Sequence, residues 1–251
     1  MSKRHLQTRQ FLLPKNGHSL SECEDVIGIN EGSGRFAIAD GATEAFDART
    51  WARQLACNWV KVDSGALTPE DFLPWVTNEG KLLQESWSNL HLSWYAEEKA
   101  RSGSFAAFVG VQLDLENVEP CWKAIALGDS CLIHCRDTKI LSALPFSEPE
   151  SFNAMPVLVP SHGAMQEAAL QRVTVGCGSI EHGDVVLLLS DAASAWYLKL
   201  METDESTRLN FDRLLEGMRN CEVAQLFESE RLSGRIKNDD IAVIRIQVEE
   251  S

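Results

Sequence analysis

Nowhere does the chain run to the roughly 20 consecutive apolar residues that a membrane helix needs. The opening MSKRHLQTRQFLLP carries basic residues but only a very short apolar patch, too little for a secretory signal. The seven cysteines are odd in number, scattered and without the spacing of a disulfide framework, so a reducing cytoplasm is the expected compartment. Basic side chains are in the minority: 23 Lys and Arg stand against 37 Asp and Glu, a formal net charge of -14. That argues against nucleic acid and anionic membrane as partners, since both are bound through basic surface. There is no internal repeat and no low-complexity tract. The glycines of NEGSGR (30–35) are too sparse for a phosphate loop and read as a hairpin turn. Neither a Ser/His/Asp constellation nor a Cys-x5-Arg nucleophile is found.

What is present suits a soluble globular chain: 251 residues, 44% hydrophobic and 24% charged, enough for one large domain or two small ones. DVIGIN (25–30) and GRFAIAD (34–40) read as two strands of a hairpin. Phe46, Trp51, Leu55, Trp59 and Val62 then recur at helical spacing, and after a loop at 64–72 so do Leu73, Val76, Leu83, Trp87, Leu90 and Trp94. Two long helices are predicted, the second running to about Ala100. Strand periodicity returns in 104–114, 121–129 and 130–137. Residues 184–191 form a continuous apolar run expected to be buried on both faces. Residues 195–200 and 208–229 are predicted helical, 201–208 a solvated acidic loop, and 240–248 a closing strand. Helices combined with hairpin-linked strands predict an α+β layered fold. The tryptophans fall mostly on helical stripes and are expected to fill the core.

The carboxylates are placed with more regularity than turns require. Asp25 opens the first of these strands beside Glu24, Asp40 closes the second, Asp129 follows another, Asp191 closes VVLLLSD, and Asp239 and Asp240 open the last. Any one of them reads as an ordinary turn residue. The recurrence is what points to a rim where strand ends gather oxygen ligands for a hard divalent cation such as Mg²⁺ or Mn²⁺. Without cations or protons such a cluster is repulsive.

In order, ED, ADG, GS, GDS, GDVVLLLSD and DDIAV resemble the metal-dependent protein phosphatases of the type-2C (PPM) family, and cover residues 20 to 248. DGATEAF with TWARQL is similar to a bacterial subgroup. The resemblance implies one domain over 1–251, a four-layer α-β-β-α sandwich with two mainly antiparallel central sheets flanked by helices, and two Mn²⁺ or Mg²⁺ ions with a weaker third. It assigns Asp40 as the bridging ligand, Gly41 as a carbonyl ligand, and Asp191 and Asp239 to one ion. Glu24 and Asp25 act through metal-bound waters, and Asp129 belongs to the third site. Asp40 and Asp191 are the catalytic aspartates. The implied reaction is direct hydrolysis of phosphoserine or phosphothreonine by a metal-activated water. A phosphoprotein substrate and a cognate kinase are the implied partners.

Four positions depart from the family pattern. Leu20 stands where many relatives carry a phosphate-binding arginine, with Lys15, His18 and Arg35 as candidate replacements. Ala42 stands where eukaryotic members have histidine. Ser190-Asp191-Ala192 replaces SDG, and Asp239-Asp240 replaces DN. Two alternatives therefore stand beside the phosphatase: a non-catalytic binding module on the same scaffold, and a phosphatase of a small metabolite. CLIHC (131–135) is read as core, because Cys131 and Cys135 share a strand face that His134 does not, and a zinc site lacks its remaining ligands. Residues 142–170 are the stretch expected to shape substrate choice, as a variable flap or an ordinary long loop.

Overall fold

The computed structural model describes residues 4–63, 65–88, 90–153 and 155–250. Its first element is a strand that periodicity does not announce, β1 (Arg4–Leu13). RHLQTRQFLL does not alternate cleanly. Its conformation comes from pairing along its full length with the C-terminal strand, Arg4 opposite Glu250 through to Leu13 opposite Ile241. The predicted hairpin follows as β2 (Asp25–Asn30) and β3 (Arg35–Gly41). Its turn closes because the Asn30 side chain accepts the Ser33 N–H and Gly34 takes the left-handed conformation at φ 66°.

Three helices come next: α1 (Ala48–Trp59), α2 (Pro69–Trp87) and α3 (Trp94–Ser102). Thr68 caps α2 by accepting the Asp71 N–H, with Pro69 in the first turn where its missing N–H costs nothing. The predicted second long helix is thus two. It stops at Ser88 and restarts where Ser93 accepts the Ala96 N–H, and the apolar Leu90 and Trp94 that carried the helical period are exposed.

After them come β4 (Phe105–Asp114), β5 (Cys121–Leu127), β6 (Cys131–Arg136), β7 (Lys139–Leu144), β8 (Val159–Pro160), α4 (Gly163–Leu170), β9 (Thr174–Ser179) and β10 (Val185–Leu189). Residues 142–170 are therefore not one long loop. They hold the end of β7, a short strand paired to β4, and α4, whose buried Gln166 accepts the Thr77 hydroxyl of α2 at 2.8 Å. The chain ends with α5 (Asp191–Thr203), α6 (Glu205–Glu216), α7 (Asn220–Leu232) and β11 (Ile241–Glu250). The predicted loop at 201–208 is the junction of α5 and α6, where Asp204 caps α6 by accepting the Thr207 N–H at 3.1 Å. The predicted helix 208–229 is broken at Gly217 and Met218, the latter at φ 56°.

The strands form two sheets, in the orders β1-β11-β10-β6-β7 and β2-β3-β4-β5-β9, with β8 beside β4 and every pairing antiparallel. Strand alternation sorts side chains into three cores. Ala37, Ala39 and Phe108 face Trp51, Leu55, Trp59 and Phe72 of α1 and α2. Ile133, Leu187, Leu189 and Val243 face Trp196, Phe211 and Phe227 of α5, α6 and α7. Phe36, Ile38, Val109, Leu132, Leu188 and Ile244 fill the space between the sheets. This is the expected four-layer α-β-β-α sandwich. Cys131 and Cys135 do lie on the opposite face from His134, and all three are buried.

His134 is part of a polar bolt between the sheets. Trp122 Nε1–H donates to its Nδ1 at 3.1 Å, its Nε2 lies 3.0 Å from Asp184 Oδ2, and Arg136 donates to both Asp184 oxygens at 2.7 and 2.9 Å. Burial pushes the Asp184 carboxyl up, but Arg136, the Glu181 N–H and His134 together hold it below the ordinary value. A depressed carboxylate contributes stability above its unfolded value of about 3.9, and that stability is lost as pH falls through the folded value. Asp184→Asn is accordingly expected to lower the melting temperature at pH 7, with the gap from the parent narrowing below about pH 4. A gap that holds constant in calorimetric scans down to pH 3 would rule the carboxylate out as its source.

Candidate active site

Because Ile27 and Ile29 of β2 and Phe36 and Ile38 of β3 point between the sheets, the same alternation sends Asp25 and Asp40 there as well. The two are direct register partners across the hairpin. Directly opposed side chains stand about 5 Å apart at Cβ, where like charges destabilise a sheet. The neighbouring sheet brings Ser190 and Asp191 from the end of β10 and Asp240 from the start of β11 to the same rim. Asp129 arrives in the β5–β6 turn. That turn needs Gly128, which lies at φ 113° and whose Cβ would come within 2.7 Å of the Ala107 Cα.

The carboxylates raise one another's proton affinity. Burial pushes the Asp40 carboxyl well above the usual range, and the charges of Asp25, Asp191, Asp129 and Asp239 push it further. Asp25, 3% exposed, is raised by burial and by Asp191 and Asp240, against the pull of the Ser190 hydroxyl. Burial and Asp191 lift Asp129 to about 7. Asp191 is raised by burial and Asp239, with Lys237 opposing. Neither oxygen of Asp25 has a hydrogen-bond partner of ordinary geometry.

Two lysines reach the rim, Lys15 beside Glu24 and, closer to the aspartates, Lys237. Lys237 Nζ lies 2.5 Å from Asp239 Oδ2 and 3.4 Å from Asp191 Oδ2, a tethered cation between two of the carboxylates. Sequence reasoning missed it, because nothing in the spacing of KNDD separates this lysine from a solvated one. Among the described residues, no three Asp, Glu, His or Cys side chains are gathered closely enough for a single ion to take all of them directly. The donor set is nevertheless all oxygen and anionic, with Asp25 unpaired. It fits hard cations that keep part of their water shell, as Mg²⁺ does, rather than a closed cage.

Glu24 stands at the margin. Its Oε2 accepts from the Thr43 hydroxyl at 2.6 Å and lies 3.5 Å from Lys15 Nζ. Asp240 accepts the N–H of Lys15 at 2.7 Å and of Glu24 at 2.8 Å, tying both residues to the rim. Gly41 donates its N–H to the Glu24 carbonyl, and a Cβ there would sit 2.8 Å from the Ala48 backbone of α1. The glycine therefore also seats that helix. Of the three candidate replacements for the missing arginine, Arg35 is excluded. It lies at the far end of β3, fully buried over Trp59, donating to the Gly65 carbonyl and the Gln112 side chain. Lys15 is in place beside Glu24, and His18 is exposed nearby.

No family model matches the sequence and no curated protein matches it. Solved structures do match. The catalytic domain of the serine threonine protein phosphatase PstP, in complex with two manganese ions, has a TM-score of 0.66 at 15% identity, covering 98% of this chain and 100% of that one. The Mycobacterium tuberculosis serine/threonine phosphatase PstP/Ppp gives 0.63 at 15%, over 98% and 99%. The photosystem II phosphatase PBCP gives 0.61 at 16%, over 96% and 98%. The chain shares the fold of these phosphatases over nearly its whole length.

Proposed function

We propose that this chain, folded as those phosphatases are, is a metal-dependent phosphatase of the type-2C kind that hydrolyses phosphoserine and phosphothreonine esters. The observation that carries the reading is the opposed pair of buried Asp25 and half-buried Asp40, set at a rim with Asp129, Asp191 and Asp239, with the Asp25 oxygens unpaired. Such an arrangement is repulsive unless cations or protons neutralise it, and a site that holds cations would account for it. In this reading Asp40, the Gly41 carbonyl, Asp191 and Asp239 would hold two Mn²⁺ or Mg²⁺ ions, with Glu24 and Asp25 holding them through water. Asp129 serves a weaker third position. Bound ions would supply charge stabilisation for the phosphoryl oxygens and a water acidic enough to attack near neutral pH. The chain's own part is placement. Asp240 clamps the backbone at Lys15 and Glu24, Thr43 and Lys15 orient the Glu24 carboxylate, and α1 pressed on Gly41 fixes the strand end. The proposed substrate is a phosphoprotein, made by a kinase, in the cytoplasm.

A second reading, a non-catalytic binding module, is favoured by one observation: Lys237 already neutralises Asp191 and Asp239. Hydrolysis of an aryl phosphate and a phosphoserine peptide decides between them. Turnover that appears with Mn²⁺ and disappears in EDTA is the expected outcome. A folded sample that takes up Mn²⁺ in calorimetry and turns over neither compound would replace the phosphatase with the binding module.

A further inference from the structure

Beside the carboxylate rim, a cavity of about 590 Å³ opens along the flank of the sandwich where β1 and β2 are the edge strands of their sheets. Asp25 stands at one point of its wall, and Arg49 and Arg53 of α1 line it. Together they put two positive groups in one groove of a chain of net charge -14. Arg4, Arg136, Arg208, Arg219 and Arg235 each hold a carboxylate. Among the described residues, Arg49 makes a single hydrogen bond, to the Leu20 carbonyl at 3.4 Å, and Arg53 makes none. Other arginines, Arg101 and Arg172 among them, also lie outside the ion pairs; what sets Arg49 and Arg53 apart is that the two guanidinium groups line one groove together.

We infer that Arg49 and Arg53 recognise acidic groups on the peptide flanking the phosphorylated residue, so that substrates with an acidic flank are preferred. The inference rests on the phosphatase reading for the identity of the peptide, not for the groove. Arg49 is the nearer to the rim, because α1 begins against Gly41 at Ala48. Arg53 follows one turn later, a rise of about 6 Å along the axis. An extended peptide brings side chains to the same side about every 6.6 Å. Acidic residues at alternate positions therefore meet the two guanidinium groups in turn. The free edge of β2 offers backbone groups to the same extended segment, as in strand-addition binding. Guanidinium groups suit this role because they pair with carboxylate or phosphate through two parallel hydrogen bonds.

The test uses the full chain with Mn²⁺ and dye-labelled serine peptides that lack phosphate, so no turnover intervenes. One peptide carries Asp at alternate flanking positions and the other Asn. By fluorescence anisotropy the Asp peptide is expected to bind about tenfold more tightly, the size of one charged hydrogen bond. The general field of an acidic protein pushes the other way. The difference should vanish in Arg49→Gln/Arg53→Gln, be partly retained in Arg53→Lys, and shrink with added salt. Arg53→Gln alone, at an exposed position, guards against a folding defect in the double variant. With the phosphorylated peptides, the KM for the acidic one should rise about tenfold in the double variant while kcat stays within about twofold. Equal anisotropy for the two peptides in the parent, or a preference that survives the double variant, overturns the inference. Absence of any Mn²⁺-dependent turnover would instead overturn the phosphatase reading, while the anisotropy comparison still decides the groove.

Discussion

Asp40→Asn is expected to abolish Mn²⁺-dependent hydrolysis and, in EDTA, to melt at a higher temperature than the parent. The two effects share one cause. Asp40 faces Asp25 across the hairpin, and both carboxyls are driven up by burial and by neighbouring charges. Replacing one carboxylate by an amide removes a like-charge opposition and provides a donor to Asp25 oxygens that have none. Relief of one such cross-strand pair is on the order of 1 kcal/mol, or about 2–4 °C for a chain of this size. In the proposed site the amide would not hold the cations that the carboxylate is proposed to hold. Loss of outer ligand partners alone costs about 10- to 100-fold in metal sites, so loss of the ligand itself should exceed about a hundredfold in turnover. The parent should also gain about 2.7 kcal/mol of stability when Mn²⁺ is supplied at 100 times its dissociation constant, and the variant should gain little. Thermal scans with and without Mn²⁺, paired with rates on an aryl phosphate, read all of this. A variant that melts like the parent in EDTA and keeps its Mn²⁺ response would remove Asp40 from the centre of the site.

The second large effect is structural. Trp59→Ala should cost about 3–5 kcal/mol, the range for deleting a large core aromatic, and lower the melting temperature by roughly 6–20 °C. Trp59 is fully buried at the centre of an aromatic cluster, its ring centroid 5.4 Å from Phe108, 5.7 Å from Trp75 and 6.4 Å from Phe72. The cluster is matched to it from below, since a Cβ at Gly110 would come within 2.6 Å of the indole. From above, the Arg35 guanidinium lies 4.8 Å from the ring, with its Nε and Nη1 unpaired. Truncation leaves both a cavity and a buried cation without its aromatic face. The loss also reaches the rim, because Trp59 is the last residue of the helix whose first turn seats Gly41 and carries Arg49. Denaturant unfolding would measure it, and a loss below about 1 kcal/mol would mean that the site collapses around the missing ring.

Much of the sandwich was legible because strands report themselves locally. The runs at β2, β3, β4, β10 and β11 are apolar on one or both faces and have glycine or aspartate at or beside one end, so composition and period suffice. Helix breaks were less legible. Leu90 and Trp94 keep the helical period across 88–93, yet the serines there end one helix and cap the next. Met218 at positive φ gives no pattern at all. β1 was invisible because its order comes from a partner at the other end of the chain, and α4 because Gln166 is fixed by Thr77 of α2 rather than by its own period.

The same division runs through the site. Which aspartates end which strands is a local fact, readable from the sequence alone. That Asp25 opposes Asp40 follows from register, and that Asp129, Asp191 and Asp239 join them follows from how two sheets stack. Neither exists until distant segments pack. Lys237 between Asp191 and Asp239, Arg35 turned away into the core, and two unpaired arginines facing a groove were decided only there. A long charged side chain is placed by whatever tertiary partner its flexible stem can reach, and sequence spacing does not encode that partner.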